Sequence, residues 1–119
     1  MFQIVFTTVS SAEMSALPKT LQLEILSEFQ FLNPNFVDEN PEKFGVIRQN
    51  ERSLYRYRTR DYRIYFEKKD EGLLIHRVLN KNSLKDFLFR SKLPVSEDEA
   101  LQTNPAFWEL IDSPKPKSD

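Results

Sequence analysis

Three strand-like runs separated by two short polar turns constrain the fold of this chain more than any other feature. The runs are LYRYRTR (54–60), YRIYFEKK (62–69) and LLIHRVLN (73–80), all rich in aromatic or branched residues. The joints around Asp61 and at 70–72 are short enough for tight hairpins. The segment is therefore expected to form consecutive antiparallel strands.

The segments on either side of these strands supply the other predicted elements. Alternation of apolar and polar residues predicts a first strand over 2–7. The segment 34–52, with two prolines and a glycine, is expected to be a loop. Apolar residues at helical spacing predict helices, the second of which has proline in its first turn. The predicted helices cover residues 10–17, 18–32 and 82–90.

The resulting order, β-α-α-β-β-β-α, defines an α+β fold with a small, antiparallel-rich sheet. We expect the helices to pack on one face of this sheet and the basic residues to lie on the other. A chain of 119 residues favours a single domain. We assign residues 1–93 to that domain and residues 94–119 to an acidic extension with a short helix and a disordered end.

Charge is strongly segregated along the chain, although its net charge is only −1. Residues 1–42 carry one lysine against six acids, residues 43–92 carry fourteen basic residues against six acids, and residues 93–119 carry two lysines against six acids. A basic block between acidic flanks predicts a surface for an anionic partner, of which nucleic acid is the commonest. The alternative is a charged sheet face that only contacts solvent.

The basic block contains arginines at alternate positions of one predicted strand. Successive side chains of a strand point to opposite faces. Arg56, Arg58 and Arg60 are therefore expected on one face, and the tyrosines between them on the helix-covered face. Guanidinium groups chelate phosphate oxygens and stack on bases. The alternation predicts an anion-binding face and by itself says nothing about catalysis.

Composition disfavours several other kinds of site. Without cysteine and with one histidine, His76, we expect no disulfide, no thiolate nucleophile, no metal site and no cofactor. His76 lies within a predicted strand, where a packing role is commoner than a catalytic one. The acidic cluster 67–71 fits a solvated turn, and Ser96 with Glu99 fits a helix capping box. We find no signal peptide and no apolar run of the ~20 residues that span a bilayer, so we expect a cytoplasmic protein.

The order and spacing of these motifs resemble the RelE/ParE superfamily of bacterial toxin–antitoxin toxins. The resemblance covers roughly residues 2–90. It lies in the first strand and its two helices, in the LP start of the second helix (17–18), and in the YRYR (55–58) and DYRIYF (61–66) motifs. It implies, for RelE-type members, a ribosome-dependent endoribonuclease that cuts mRNA in the ribosomal A site and is neutralised by an antitoxin.

The resemblance also implies roles for particular basic residues. Arg56, Arg58 and Arg63 match positions that bind RNA on the concave sheet face, and Arg60 is grouped with them as a neighbour on the same strand. Lys81 matches the position after the last strand. Arg63 and Lys81 are expected to stabilise the charge that develops at the scissile phosphate.

Several positions depart from the pattern of active members. Those members carry lysine where Arg56 and Arg58 stand, arginine at Lys81 and tyrosine at Phe87. Guanidinium stays protonated and is a poor base, and phenylalanine has no hydroxyl group. The departures therefore favour RNA binding over acid–base catalysis.

Three functions remain open from the sequence. The first is a RelE-like, weakly active mRNA endoribonuclease that acts on ribosome-bound mRNA and has an antitoxin partner. The second is a non-catalytic regulator of translation or RNA decay that binds RNA, the ribosome or a ribonuclease through the same scaffold. The third is a ParE-like inhibitor of DNA gyrase.

The acidic extension lies beyond the resemblance. Pro105 marks the predicted start of a helix, and the apolar residues that follow recur at helical spacing, namely Phe107, Trp108, Leu110 and Ile111. An acidic helix of this kind could cover the basic face as an antitoxin covers its toxin, or extend the core, or protrude as a docking peptide for a partner. The polar, proline-broken end, 113–119, is expected to be disordered.

Overall fold

The computed structural model describes residues 3–88 and 96–112, with side chains described over 3–84 and 96–112. Within these residues the chain forms five strands and six helices. In chain order they are β1 (Gln3–Phe6), α1 (Thr8–Ser15), α2 (Lys19–Gln30), α3 (Phe36–Glu39), β2 (Phe44–Gln49), β3 (Arg52–Thr59), β4 (Tyr62–Lys69), β5 (Gly72–Asn80), α4 (Lys81–Leu88), α5 (Glu97–Gln102) and α6 (Pro105–Asp112). The predicted helix end at 89–90 and the predicted disordered end at 113–119 lie outside the described residues.

The strands form one mixed sheet in the order β1-β5-β4-β3-β2. The antiparallel pairing of β3, β4 and β5 confirms the hairpins predicted around Asp61 and at 70–72. β1 lies at one edge and pairs in parallel with β5. The pairing involves only Gly72–Ile75 of β5, so the N-terminal strand forms an edge of the sheet beside the first half of β5.

The prediction of a loop over 34–52 is wrong. This segment contains the short helix α3 and the edge strand β2, which pairs antiparallel with β3. The two strands are joined at Asn50, whose positive φ of 56° is tolerated by asparagine. Gly45, which suggested a break, lies within β2, where the side chains of Arg56 and Asp98 occupy the space that a Cβ atom would need.

One face of the sheet, called the first face, packs against α1, α2 and α3. The apolar stripe predicted for the second helix is buried there, and Phe29 contacts the rings of Tyr57 and Phe66 at centroid distances of 5.3 and 5.0 Å. α1 begins earlier than predicted because Thr7 caps it, accepting a hydrogen bond from the Ser10 amide. The tyrosine side of β3 therefore faces the helices as predicted.

The opposite face, called the second face, packs against α4, α5 and α6. The prediction that all helices lie on one face is therefore wrong. The physical reason is that this side of the sheet also carries apolar residues, which the C-terminal helices bury. The strand members of this second core are Ile47, Leu54, Tyr65 and Leu79, and its helix members are Leu84, Leu101, Phe107, Trp108 and Ile111. No helix in the described part of the chain is both long enough and apolar enough to span a membrane.

Candidate functional site

The structure brings three of the predicted arginines together on the second face. Arg58 on β3 is directly opposite Arg63 on β4, and Arg56 is opposite Tyr65. Arg56 and Arg63 are only 3% and 8% exposed, whereas the side chain of Arg58 is 41% exposed. Arg56 and Arg63 are buried because α5 lies over them, which is one of the arrangements of the acidic extension left open by the sequence.

Glu97, the first residue of α5, sits between two of these guanidinium groups. Its Oε1 lies 3.0 Å from Nε of Arg63 and 3.8 Å from Nη2 of Arg58. Like charges at directly opposite positions of a sheet repel each other. The carboxylate of Glu97 reduces this repulsion.

Asp98, the next residue of α5, pairs with Arg56. Nε of Arg56 lies 3.1 Å from Oδ1 of Asp98, yet these two atoms are not aligned as a hydrogen bond, and Nη1 of Arg56 also has no partner. Burial lowers the pKa of Arg56. Burial also raises the pKa of Asp98, outweighing the attraction of the guanidinium. The pair is therefore close but poorly hydrogen-bonded.

Gly45 makes room for this pair. It lies on β2 directly opposite Arg56. A Cβ atom at this position would overlap Nη2 of Arg56 and Oδ2 of Asp98. The absence of a side chain at position 45 therefore allows α5 to approach the sheet.

Tyr65 lies under the same helix and was given no role from the sequence. Its side chain is fully buried, and its hydroxyl group has no hydrogen-bond partner. Its pKa is raised, chiefly by burial and further by the carboxylates of Glu97 and Asp98. The alternation of side chains along the YRIYF segment (62–66) could have predicted this position, since it places Tyr65 on the same sheet face as Arg63.

Arg60 and Lys81 lie away from this cluster. Arg60 is in the β3–β4 turn with a positive φ of 53°, and its guanidinium pairs with Glu24 of α2 at 3.1 Å. Its predicted place beside Arg56 and Arg58 is wrong because the strand ends at Thr59. Lys81 begins α4, and its Nζ lies 3.3 Å from Oδ1 of Asp61 at the same turn.

The apolar residues of α6 pack on the protein's own sheet. Phe107, Trp108 and Ile111 are buried, and Leu110 is partly buried. The alternative in which they protrude to bind a partner is wrong for this structure, because they complete the second core. The indole N–H of Trp108 donates to the Gln102 carbonyl at 3.0 Å. The predicted capping box of Ser96 and Glu99 is present at the start of α5.

His76 forms a separate polar contact on the second face. Its Nε2 lies 2.6 Å from Oε1 of Glu67, which also pairs with Arg52 at 3.4 Å. Burial acts to raise the pKa of Glu67, but the His76 hydrogen bond and the Arg52 charge outweigh it, so the pKa is lowered. In the described residues no group of three His, Cys, Asp or Glu is arranged to hold a metal ion. The side chain of Phe87 lies outside the described residues.

Comparison with known proteins gives structural matches only. No family model and no curated protein matches the chain. A chain of the archaeal RelE–RelB complex from Pyrococcus horikoshii matches with a TM-score of 0.55 at 18% identity, covering 67% of this chain and 94% of that chain. The RelBE2 toxin–antitoxin complex of Mycobacterium tuberculosis matches with a TM-score of 0.46 at 21% identity, covering 66% and 96%. The RelB–RelE complex of Methanococcus jannaschii matches with a TM-score of 0.46 at 20% identity, covering 70% and 96%.

The Pyrococcus horikoshii match shows that this chain has a RelE-like fold. The predicted α+β fold class is thereby confirmed. The match leaves about a third of this chain without a counterpart. At 18% identity the likeness concerns the fold, and any activity has to be argued from the residues of this chain.

Proposed function

We propose that this protein is an RNA-binding protein of toxin type, which acts on ribosome-bound mRNA and whose RNA site is covered by its own helix α5. The observation that carries this proposal is the convergence of Arg56, Arg58 and Arg63 on the carboxylates of Glu97 and Asp98. A group of guanidiniums that binds carboxylates is equally suited to the phosphate oxygens of RNA.

The electrostatics of the second face support an exchangeable anion. Arg58 and Arg63 stand directly opposite each other, and Arg56 is two residues along the same strand face. Without an anion these charges repel each other. The carboxylates of α5 act as this anion, but the contact between Asp98 and Arg56 is poorly aligned, and burial raises the pKa of Asp98. Such a contact favours replacement by a better-matched polyanion.

The acidic composition of the extension supports the proposal that it covers the basic face of its own chain. Residues 93–119 carry two lysines against six acids, and the first turn of α5 contains three of these acids. The matched archaeal structure is a RelE–RelB complex of separate proteins. For this chain we propose that α5 performs within the same polypeptide the covering role that the resemblance assigns to an antitoxin.

The chemistry of the site favours binding over cleavage. Guanidinium groups remain protonated at ordinary pH and do not act as bases. Arg63 and Lys81 both contact the β3–β4 turn, the former through the carbonyls of Arg60 and Tyr62 and the latter through Asp61. We propose that these two cations bind phosphate at that end of the sheet and would stabilise charge in any residual cleavage.

The proposal is tested by neutralising the cover. Glu97→Gln with Asp98→Asn removes the two anions that face the arginines and should tighten binding of a labelled single-stranded RNA by about tenfold or more. Asp38→Asn with Glu39→Gln is the matched control, because it changes the net charge equally at two exposed positions of α3 on the other face of the sheet. Fluorescence anisotropy over a range of salt concentrations is the measurement.

The control decides between a specific and a general charge effect. Tightening confined to the α5 variant, with a steeper salt dependence, supports the proposal. Equal tightening in both variants, or no RNA binding by either, would overturn it. Induced expression of the α5 variant in bacteria, with mapping of mRNA 5′ ends, then distinguishes cleavage at codon-phased positions from repression by binding alone.

A further inference from the structure

The unpartnered buried polar atoms of the described residues lie in one place. They are Nε and Nη1 of Arg56, the hydroxyl oxygen of Tyr65 and Oδ1 of Asp98. All four belong to the contact between the second face and α5, where Arg56 is opposite Tyr65 in the sheet. Buried polar groups in folded proteins are almost always hydrogen-bonded, so this concentration calls for a physical explanation.

The ring of Tyr65 and its hydroxyl group are in different surroundings. The ring packs edge-on against Phe107 at a centroid distance of 5.1 Å, within the second core. The charged groups that act on the hydroxyl are Glu97, Asp98, Arg56 and Arg63. The side chain is thus fixed by apolar packing while its polar end reaches the charged cluster.

The hydroxyl group is unfavourable in the covered state. A phenylalanine at position 65 would keep the ring contact with Phe107 and leave no buried O–H unsatisfied. The carboxylates of α5 are strong acceptors in the same cluster, yet neither forms a hydrogen bond with this hydroxyl. Packing of the folded, covered protein therefore does not explain why the residue is tyrosine.

We infer that Tyr65 is an RNA-contacting residue, whose hydroxyl donates to a phosphate oxygen held between Arg56 and Arg63 when α5 is displaced. This inference rests on the proposed function and adds a specific neutral donor to its cationic site. A hydrogen bond to a charged phosphate is stronger than one between neutral groups. The ordinary pKa of a tyrosine phenol, about 10, keeps it protonated at neutral pH, so its role is to donate a hydrogen bond and not to act as a base.

The test combines Tyr65→Phe with the double substitution Glu97→Gln/Asp98→Asn. This double variant is called the uncovered background, because it lacks the two carboxylates that face the arginines. In that background Tyr65→Phe should weaken binding of a labelled single-stranded RNA by about five- to tenfold. In the otherwise unchanged protein the same substitution should leave Tm equal or raise it, because it removes an unsatisfied buried group. Tyr55→Phe is the matched control, since Tyr55 lies on the same strand pair but packs on the first face.

The possible outcomes separate the two proposals. Unchanged RNA affinity of the uncovered Tyr65→Phe variant, or an equal loss with Tyr55→Phe, would overturn the role of Tyr65. A fall in Tm accompanying the loss of affinity would assign Tyr65 a structural role instead. Absence of RNA binding in the uncovered protein that still contains Tyr65 would overturn the proposed function itself, and the inference with it.

Discussion

The two faces of the sheet are both buried, but they are buried in different ways. On the first face aromatic rings fill the core, and Glu13 of α1 accepts hydrogen bonds from the Arg77 guanidinium and the Val78 amide at 2.6 and 2.8 Å. On the second face an apolar part under α6 adjoins a charged part under α5, where Arg56, Tyr65 and Asp98 leave polar atoms unpaired. The two faces therefore differ in hydrogen-bond satisfaction and not in burial.

The same contrast divides the acidic extension. α6 buries Phe107, Trp108 and Ile111 and resembles any core helix. α5 is six residues long, buries only Leu101, and faces the sheet with carboxylates. We interpret α6 as the part that holds the extension on the sheet and α5 as the part that competes with RNA.

The largest expected effect tests whether α6 is a core element. Trp108→Ala should lower the free energy of unfolding by about 3–5 kcal/mol, as should Phe29→Ala on the first face, because each removes a buried aromatic ring. Urea denaturation of both variants is the measurement. A loss below about 1 kcal/mol for Trp108→Ala alone would show that α6 is only loosely attached.

A smaller effect is expected at Gly45, where the cover approaches the sheet. Gly45→Ala should lower the free energy of unfolding by about 1–3 kcal/mol, since the new methyl group overlaps the Arg56 and Asp98 side chains. The same substitution should tighten RNA binding by forcing α5 away. In an Asp98→Ala background the penalty should shrink, because one of the two overlapping groups is gone. A penalty equal in both backgrounds would contradict the position of α5.

Acid titration should reveal carboxylates of opposite behaviour on the second face. Because the pKa of Asp98 is raised in the folded state, its protonation adds stability as the pH falls through that raised value to the ordinary one. Because the pKa of Glu67 is lowered, its contribution is present above the ordinary value and is lost as the pH falls through the folded one.

The corresponding variants separate these two contributions. Asp98→Asn should remove the increase in the free energy of unfolding that accompanies protonation of Asp98 above the ordinary carboxyl pKa. Glu67→Gln should remove the decrease that accompanies protonation of Glu67 below the ordinary carboxyl pKa. The free energy of unfolding from urea titrations between neutral pH and pH 3 is the measurement. An Asp98→Asn curve that stays parallel to the wild-type curve throughout would disprove the raised pKa.

The smallest effects on stability are expected at the exposed arginines. Arg60 and its partner Glu24 are 62% and 43% exposed, so Arg60→Ala should change the free energy of unfolding by no more than about 1 kcal/mol. Arg58→Ala should have a similarly small effect, since its side chain is 41% exposed. In the uncovered background, however, only Arg58→Ala should weaken RNA binding and flatten its salt dependence. Equal losses would mean that the site extends to the α2 side of the turn.

Local patterns predicted much of the fold correctly. The hairpins around Asp61 and at 70–72 follow from short joints, the α2 stripe from helical spacing, and the α5 capping box from Ser96 and Glu99. β2 was missed because Gly45 interrupts its apolar run, although the glycine is there to accommodate Arg56 and Asp98.

The arrangement of the site depends on contacts between distant parts of the chain. Alternation placed Arg56 and Arg58 on one face, but no local pattern shows which sheet face receives a helix 40 residues further along. Arg60 does not lie on that face, because β3 ends at Thr59, one residue earlier than predicted. The environment of the Tyr65 hydroxyl group depends on the carboxylates of α5, which are more than 30 residues away in the sequence, so no local pattern predicts it.

The most direct test of the account is amide hydrogen exchange of α5 and α6, measured with and without bound single-stranded RNA. If RNA replaces α5 on the second face, amides of 99–102 should lose protection when RNA binds, while those of 108–111 in α6 stay protected. Continued protection of α5 in the RNA-bound protein would contradict the claim that its carboxylates and RNA phosphates compete for the same arginines.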